Sequence, residues 1–195
     1  MPSDLVQRRL LRVHRLLQDG EVSKASQLVE LLLPADRADL FEELDLEEQD
    51  VLIPQFEVED SAHILEELEE EEAAEVAARI NVGQLASIVD EMAPDEAADL
   101  LGDLDPALGE ATLAYMSQAE EVSPLLLHPD ETAGGLMTSE YLAFPQSMWA
   151  GRVLSVMRDW EPKGQESTYL FVVDEDAHLV GVASLLDIVR AESQE

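Results

Sequence analysis

The sequence predicts an α plus α/β chain: a solenoid of short helices on a twelve-residue repeat, followed by one β-α-β-β-α module. Three observations predict it. Apolar residues recur in columns twelve positions apart, from about residue 28 to residue 116. The helical period then breaks at Gly134-Gly135, and short apolar runs replace it. The 195 residues are 46% hydrophobic, enough for one or two cored domains.

The repeat comes first because it decides the architecture. One column reads Leu32, Leu44, Phe56, Leu68, Ile80, Met92, Leu104, Met116, all apolar. A second reads Leu40, Leu52, Ile64, Val76, Ile88, Leu100, and a third runs from Phe41 through Leu65 and Leu101 to Leu113. A fourth, Ala38, Asp50, Ala62, Ala74, Ala86, Ala98, is small except at Asp50. Within one unit, Ala97, Leu100, Leu101 and Leu104 have the i, i+3, i+4, i+7 spacing of an amphipathic helix. Pro94 suits its first turn, and the acids after it favour the positive helix N-terminus. Helices this short do not hold alone, so they must stack into a solenoid. Two helices are expected before the repeats, Asp4 to Leu17 and Ser23 to Leu33. One more, around Leu108 to Leu127, is expected to close the stack. The weak point is Ile80-Asn81-Val82-Gly83, where no Pro-Glu start appears.

After Pro129 the pattern is that of a mixed module. Tyr141 to Phe144 reads as a strand and Met148 to Trp160 as a helix stopped by Pro162-Lys163-Gly164. Tyr169 to Val173 and Leu179 to Ala183 read as a hairpin around Asp174 to His178. Ser184 can cap a last helix, Leu185 to Ala191, with Asp187 in its first turn. About 60 residues is little for an independent core, so a second copy or a partner is expected to cover its open face.

Charge narrows the function. Forty-four acidic against eleven basic residues give a net charge of −33. Such a surface repels nucleic acid and anionic lipid, attracts metal cations or basic proteins, or simply solubilises the chain. With no cysteine there is no disulfide and no thiolate metal site. No span approaches the ~18 apolar residues of a membrane helix, and the N-terminus lacks a signal-peptide pattern, so a soluble chain is expected. No catalytic set appears. His14, His63, His128 and His178 lie in different units without metal-ligand spacing, and no phosphate-binding glycine loop is present. No enzymatic role is expected.

Two strings carry a family likeness. Tyr169-Leu170-Phe171-Val172-Val173-Asp174, then Leu179-Val180-Gly181-Val182-Ala183-Ser184-Leu185-Leu186-Asp187, resembles a CBS domain. The acidic solenoid followed by Ala133-Gly134-Gly135-Leu136-Met137-Thr138 resembles the N domain and N-to-CBS junction of MgtE magnesium transporters. The likeness covers nearly the whole chain. It implies an N domain at 1–128 that is a right-handed superhelix, a linker or hinge at 129–136, and the first of a CBS pair at 137–195. In that family a second CBS domain, a connecting helix and a five-helix pore follow, and these 195 residues contain none of them. The family likeness also implies homodimers through the CBS domains at the cytoplasmic face of the cell membrane. Mg2+ between acidic N-domain and CBS faces would hold the pore closed. The expected partners are Mg2+, that second CBS and membrane region, and a second copy. Neither nucleic acid nor insertion of this chain into the membrane is expected.

The resemblance also assigns residues. Asp95 and Asp99, at i, i+4 on one helix face, fall on positions that contact interdomain Mg2+ in the family. Taken as residues alone, Asp95 reads as serving the helix N-terminus and Asp99 as a solvated side chain, and the resemblance is what turns them into a site. Where the family has a further acidic residue, this chain has His63, a poor magnesium ligand. Glu66-Glu67 and Glu69 to Glu72 read as a solvated helix boundary. Tyr169 and Asp187 fall on the family's adenine-nucleotide contacts, but Leu186 stands where a basic residue is expected. A core tyrosine and a capping aspartate explain them as well, so ATP binding by this single module should be weak or undetectable. The rivals are a helical-repeat interaction scaffold, which Mg2+ should leave unchanged, and an adenylate-sensing CBS protein.

Overall fold

The computed structural model describes residues 4–129, 132–160, 162–163 and 169–191. The chain divides into two compact units, Met1–Met137 and Thr138–Glu195.

The regular elements described in the first unit are all helical. They begin with α1 Asp4–Gln18, α2 Val22–Glu30, α3 Pro34–Glu42, α4 Leu46–Leu52, α5 Val58–Glu67 and α6 Glu70–Ala77. They continue with α7 Val82–Val89, α8 Pro94–Asp103, α9 Pro106–Tyr115 and α10 Ala119–Val122. Single 3-10 turns, Ile53–Gln55 and Leu125–Leu127, follow α4 and α10. Local chemistry sets the starts. Pro34, Pro94 and Pro106 occupy first turns, where the missing N–H costs nothing. Asp45 and Glu48 close a capping box on α4. At the sequence's weak point Asn81 accepts from the Gln84 N–H, so the repeat continues through α7 without a proline. Gly20 turns the chain from α1 to α2 at φ +74°, a conformation glycine adopts freely.

Most helices pack on the one two places along: α1 on α3, α2 on α4, α3 on α5, α5 on α7, α6 on α8, α7 on α9 and α8 on α10. That alternation is how a twelve-residue repeat buries its columns. Leu40, Leu52 and Ile64 are wholly inaccessible, and Val76, Ile88 and Leu100 nearly so. Asp50, the odd member of the small column, is exposed and pairs with Arg79 Nε at 2.6 Å. Arg37 ties three turns together. It donates to the Leu32 carbonyl at 3.0 Å, to the Glu30 carbonyl at 2.8 Å, and to the Asp60 carboxylate.

The expected closing helix, Leu108 to Leu127, is instead three pieces: α9, α10 and the last 3-10 turn. The Asp90 carboxylate captures the Ser117 and Gln118 N–H groups at 2.8–3.0 Å, and Met116 is extended at ψ 145°. Two donors that would have continued α9 are thus satisfied from another repeat.

The second unit is a three-stranded sheet, β1 Ala143–Pro145, β2 Tyr169–Val173 and β3 Leu179–Ser184, with α11 Ala150–Arg158 and α12 Leu185–Arg190. β1 pairs with β2 in parallel, and β2 with β3 as an antiparallel hairpin. The first strand is shorter and later than Tyr141 to Phe144. The Leu142 carbonyl still accepts from the Phe171 N–H at 2.9 Å, but ladder pairing begins only at Ala143. The helix starts at Ala150 rather than Met148 because Trp149 is extended at ψ 145°. Of the predicted stop, Pro162 and Lys163 are described, and Gly164 lies outside the described residues. No helix among the described residues is long and apolar enough to cross a membrane.

Candidate metal-binding face

α8 is an acidic helix that lines a cleft. Its first turn is Pro94-Asp95-Glu96, followed by Ala97-Ala98 and Asp99. Ala97 and Ala98 are buried, which leaves Asp95 and Asp99 half-buried one turn apart. The structure brings both aspartates to one cleft, together with Gly102, Leu125, His128, Gly135 and Met137. The Ala-Gly-Gly-Leu-Met string therefore folds back within the first unit and lies beside α8. Gly134 is required there. A Cβ on it would sit 2.5 Å from the His128 ring.

The electrostatics around α8 are strained. Glu66 reaches across from α5 and accepts from the Ala93 N–H at 2.9 Å, at the start of α8. Ala93 has no side-chain oxygen with which to cap its own helix. Burial pushes the Glu66 carboxyl above the usual carboxylate range. The Ala93 hydrogen bond and His63 oppose that rise, whereas Glu67 and Asp95 add to it. The exposed Glu96 is also raised, first by partial desolvation of its carboxyl and then by Asp95, Glu66 and Asp99. Carboxylates that resist ionisation side by side favour a cation among them. Reading Glu66 as part of a solvated boundary is thus corrected. Its helix turn faces α8, and it is half-buried. Glu69 to Glu72 do behave as expected, with Glu69 at the N-cap of α6 and the rest in its first turn. The sequence does carry a faint signal for Glu66: an uncapped Ala-Pro helix start needs an acceptor from elsewhere.

Asp95 and Asp99 do not form a complete ligand shell. Among the described residues, one group brings three potential ligands within 4.8 Å of one another: Asp174, Asp176 and His178 in the β2–β3 turn. There Asp174 Oδ1 already accepts from the Asp176 and His178 N–H groups at 2.9 Å, which shapes the turn. Two hard oxygen donors on α8 nonetheless fit Mg2+, which keeps several waters and takes one or two carboxylates per surface. His63 is half-buried close to Glu66, where its charge state bears on that carboxylate.

In the second unit, strand register sets Tyr169 opposite Ser184. Tyr169 is 59% exposed, so the core-tyrosine explanation fails for this unit. Asp187 is engaged as a cap. Its Oδ2 accepts from the Ser184 hydroxyl at 2.6 Å, and these bonds hold its carboxyl below the usual range. Leu186 is exposed beside it.

Residues 13–131 match the family described as the MgtE intracellular N domain. The chain is 28% identical over 188 residues to the magnesium transporter MgtE of Bacillus subtilis (strain 168), covering 95% of this chain and 42% of that protein. It is 40% identical over 72 residues to MgtE of Thermus thermophilus, covering 37% of this chain and 16% of that protein. The chain thus spans less than half the length of these curated relatives. A crystal structure of the cytosolic domain of the Mg2+ channel MgtE in complex with ATP is 30% identical. It superposes with a TM-score of 0.84 over 95% of this chain and 77% of that one. The soluble part of a magnesium transporter, 23% identical, superposes with a TM-score of 0.80 over 97% of this chain and 76% of that one, and so shares the fold.

Proposed function

The chain belongs to the MgtE intracellular N domain family, and we propose that it is the Mg2+-sensing cytosolic region of a magnesium transporter or channel. In this reading residues 1–128 are the N domain, 129–136 the linker or hinge, and 137–195 the first CBS domain of a pair. Mg2+ bridges the acidic α8 face and an acidic CBS surface, and so gates ion transport. A second CBS domain, a membrane pore and a second copy of the chain complete the assembly at the cytoplasmic face of the membrane. No catalysis is required.

The observation that carries this reading is the cleft shared by Asp95 and Asp99 beside two carboxyls, Glu66 and Glu96, that burial and mutual repulsion push upward. When bound, the ion supplies two positive charges in a hydrated, oxygen-rich shell. The chain's own residues supply the opposing force. Without a cation, acidic surfaces repel one another, and the repulsion is the signal for low magnesium. Asp95 and Asp99 would hold the ion or its water. Glu66 sets the field around them and fixes the start of α8. Histidine at position 63 makes this part of the face less acidic, so weaker binding is expected there.

The test is small-angle scattering during a Mg2+ titration at constant ionic strength. Saturable compaction or association, lost in Asp95→Asn/Asp99→Asn, is the expected result. A response identical to that of sodium at matched ionic strength would overturn the reading and favour an interaction scaffold.

A second reading has one specific observation behind it. Tyr169 stands exposed in register with Ser184, the N-cap of the helix that carries Asp187, and the 30%-identical solved structure contains ATP. Adenine-nucleotide binding at the second unit is therefore a proposal in its own right. A rise in melting temperature with ATP, lost in Tyr169→Ala, would bear it out.

A further inference from the structure

The charge of −33 is not evenly spread. Helix α1 carries Arg8, Arg9, Arg12 and Arg15, four of the chain's eleven basic residues, against the single acid Asp4. Its inner face is spoken for. Val6 and Val13 are fully buried, Leu10, Leu16 and Leu17 pack on the same core, and Arg9 donates to the Leu28 carbonyl at 2.8 Å. The outer face is basic and solvent-exposed. Arg8, Arg12 and Arg15 are exposed at i, i+4 and i+7, which makes them one row along the helix. Leu5 and Leu11 flank the row and are 51% and 71% exposed. Most of this row precedes residue 13, where the match to the family begins.

We propose that the outer face of α1 is a docking surface for an anionic lipid bilayer. The occupant follows from the chemistry of the face. It is the exposed face of a single helix, made of guanidinium groups and two leucines. Its arginines suit phosphate oxygens, which guanidinium binds in a fork. Its two exposed leucines suit the headgroup–acyl boundary, where apolar side chains find cover without a shaped partner. The remainder of the chain is repelled by the same bilayer. Screening confines that repulsion to about 8 Å at physiological salt, so α1 can touch lipid while the acidic repeats stand off. Each arginine at an anionic surface gains about fivefold in binding. Three give a weak, reversible contact in free solution. Such a contact becomes effective when the chain is held near the membrane by a covalent tether. That last step rests on the transporter reading above, whereas the contact itself does not.

The experiment is co-flotation of the chain with phosphatidylglycerol-containing vesicles and with pure phosphatidylcholine vesicles, at low and at physiological ionic strength. The expected result is binding to the anionic vesicles only, weakening with salt. In Arg8→Glu/Arg12→Glu/Arg15→Glu it should fall about a hundredfold or more. In Leu5→Ser/Leu11→Ser it should weaken by a smaller factor at unchanged salt dependence. Circular dichroism confirms that each variant is folded, and Lys at all three arginine positions should retain binding. Failure of the wild-type chain to float at low salt would overturn the proposal, as would equal flotation of the charge-reversed variant. Lipid-independent self-association that charge reversal abolishes would also overturn it and give the row to a second copy. None of these outcomes alters the magnesium titration, so the two readings fail separately.

Discussion

The two units solve the same problem, burying apolar surface in a short chain, in opposite ways. The helical unit closes on itself: its columns of Leu, Ile and Val run through one continuous core. Among its described residues the α/β unit buries three large apolar side chains, Phe144, Val153 and Leu170, and leaves Leu179, Val180, Val182, Leu186 and Val189 more than half exposed. A stack of short helices gains a neighbour with each repeat, so it becomes self-sufficient by adding units. A single three-stranded sheet has two faces and helices for only part of them, so it is complete only when something else covers it. Acidic charge goes with the self-sufficient unit, which can tolerate repulsion because its core is large.

The sharpest way to break that comparison is to remove core from the helical unit. Phe41 is fully buried in α3. Phe41→Ala should cost about 3–5 kcal/mol, because the transfer loss and the cavity add. Chemical denaturation followed by far-ultraviolet circular dichroism should show most of the helical signal lost earlier. If the helical signal barely moves, the core is not cooperative along its length.

Next comes the tie at Arg37. Its guanidinium satisfies the carbonyls at the end of α2 and pairs with Asp60 of α5. Arg37→Met keeps much of the stem but leaves Asp60 without this partner, and should cost about 2–3 kcal/mol. Double substitution with Asp60→Asn should recover part of the loss, and a double-mutant cycle measures how much.

Most of the helical unit was legible because its signal is periodic. Every member of the Leu40-to-Leu100 column is buried, and Asp50, the misfit of the small column, is exposed and pairs with Arg79. What was not legible is long-range. The break after Tyr115 depends on Asp90, 27 residues away, and nothing near Met116 announces it. The site was half legible. The i, i+4 spacing puts Asp95 and Asp99 on one face. Glu66 was hidden, because a glutamate in an acidic run looks solvated until the fold turns it toward another helix. In the second unit, strand order was readable and strand ends were not, because β1 exists only through its pairing with β2.

A smaller effect tests the electrostatics of the helical unit. Glu66 and Glu96 have folded-state carboxyls above their unfolded values. The folded state therefore holds protons more tightly than the unfolded state in that window, and stability should rise as pH falls from neutral toward the unfolded carboxylate range. Glu66→Gln retains an acceptor for the Ala93 N–H. It should flatten this dependence and stabilise the chain at pH 7 by less than about 1 kcal/mol after solvent screening. Melting temperature against pH, wild type beside variant, decides it. A wild-type curve that falls steadily from pH 7 to pH 5 would contradict the assignment.

The smallest expected effect is the most informative about the second unit. Val182 sits in β3 with 55% of its surface exposed, and Val189 in α12 with 59%. If this face is unpartnered in the chain, Val182→Ser and Val189→Ser remove little that is buried. Each should change stability by no more than about 0.5 kcal/mol, the ordinary range for surface substitutions. The same changes should improve solubility, because an open apolar face is also an aggregation surface. A loss several times larger, dependent on protein concentration, would mean that a second copy already covers the face in solution. Whatever the helical unit gains from its own repeats, the sheet would then gain from its twin.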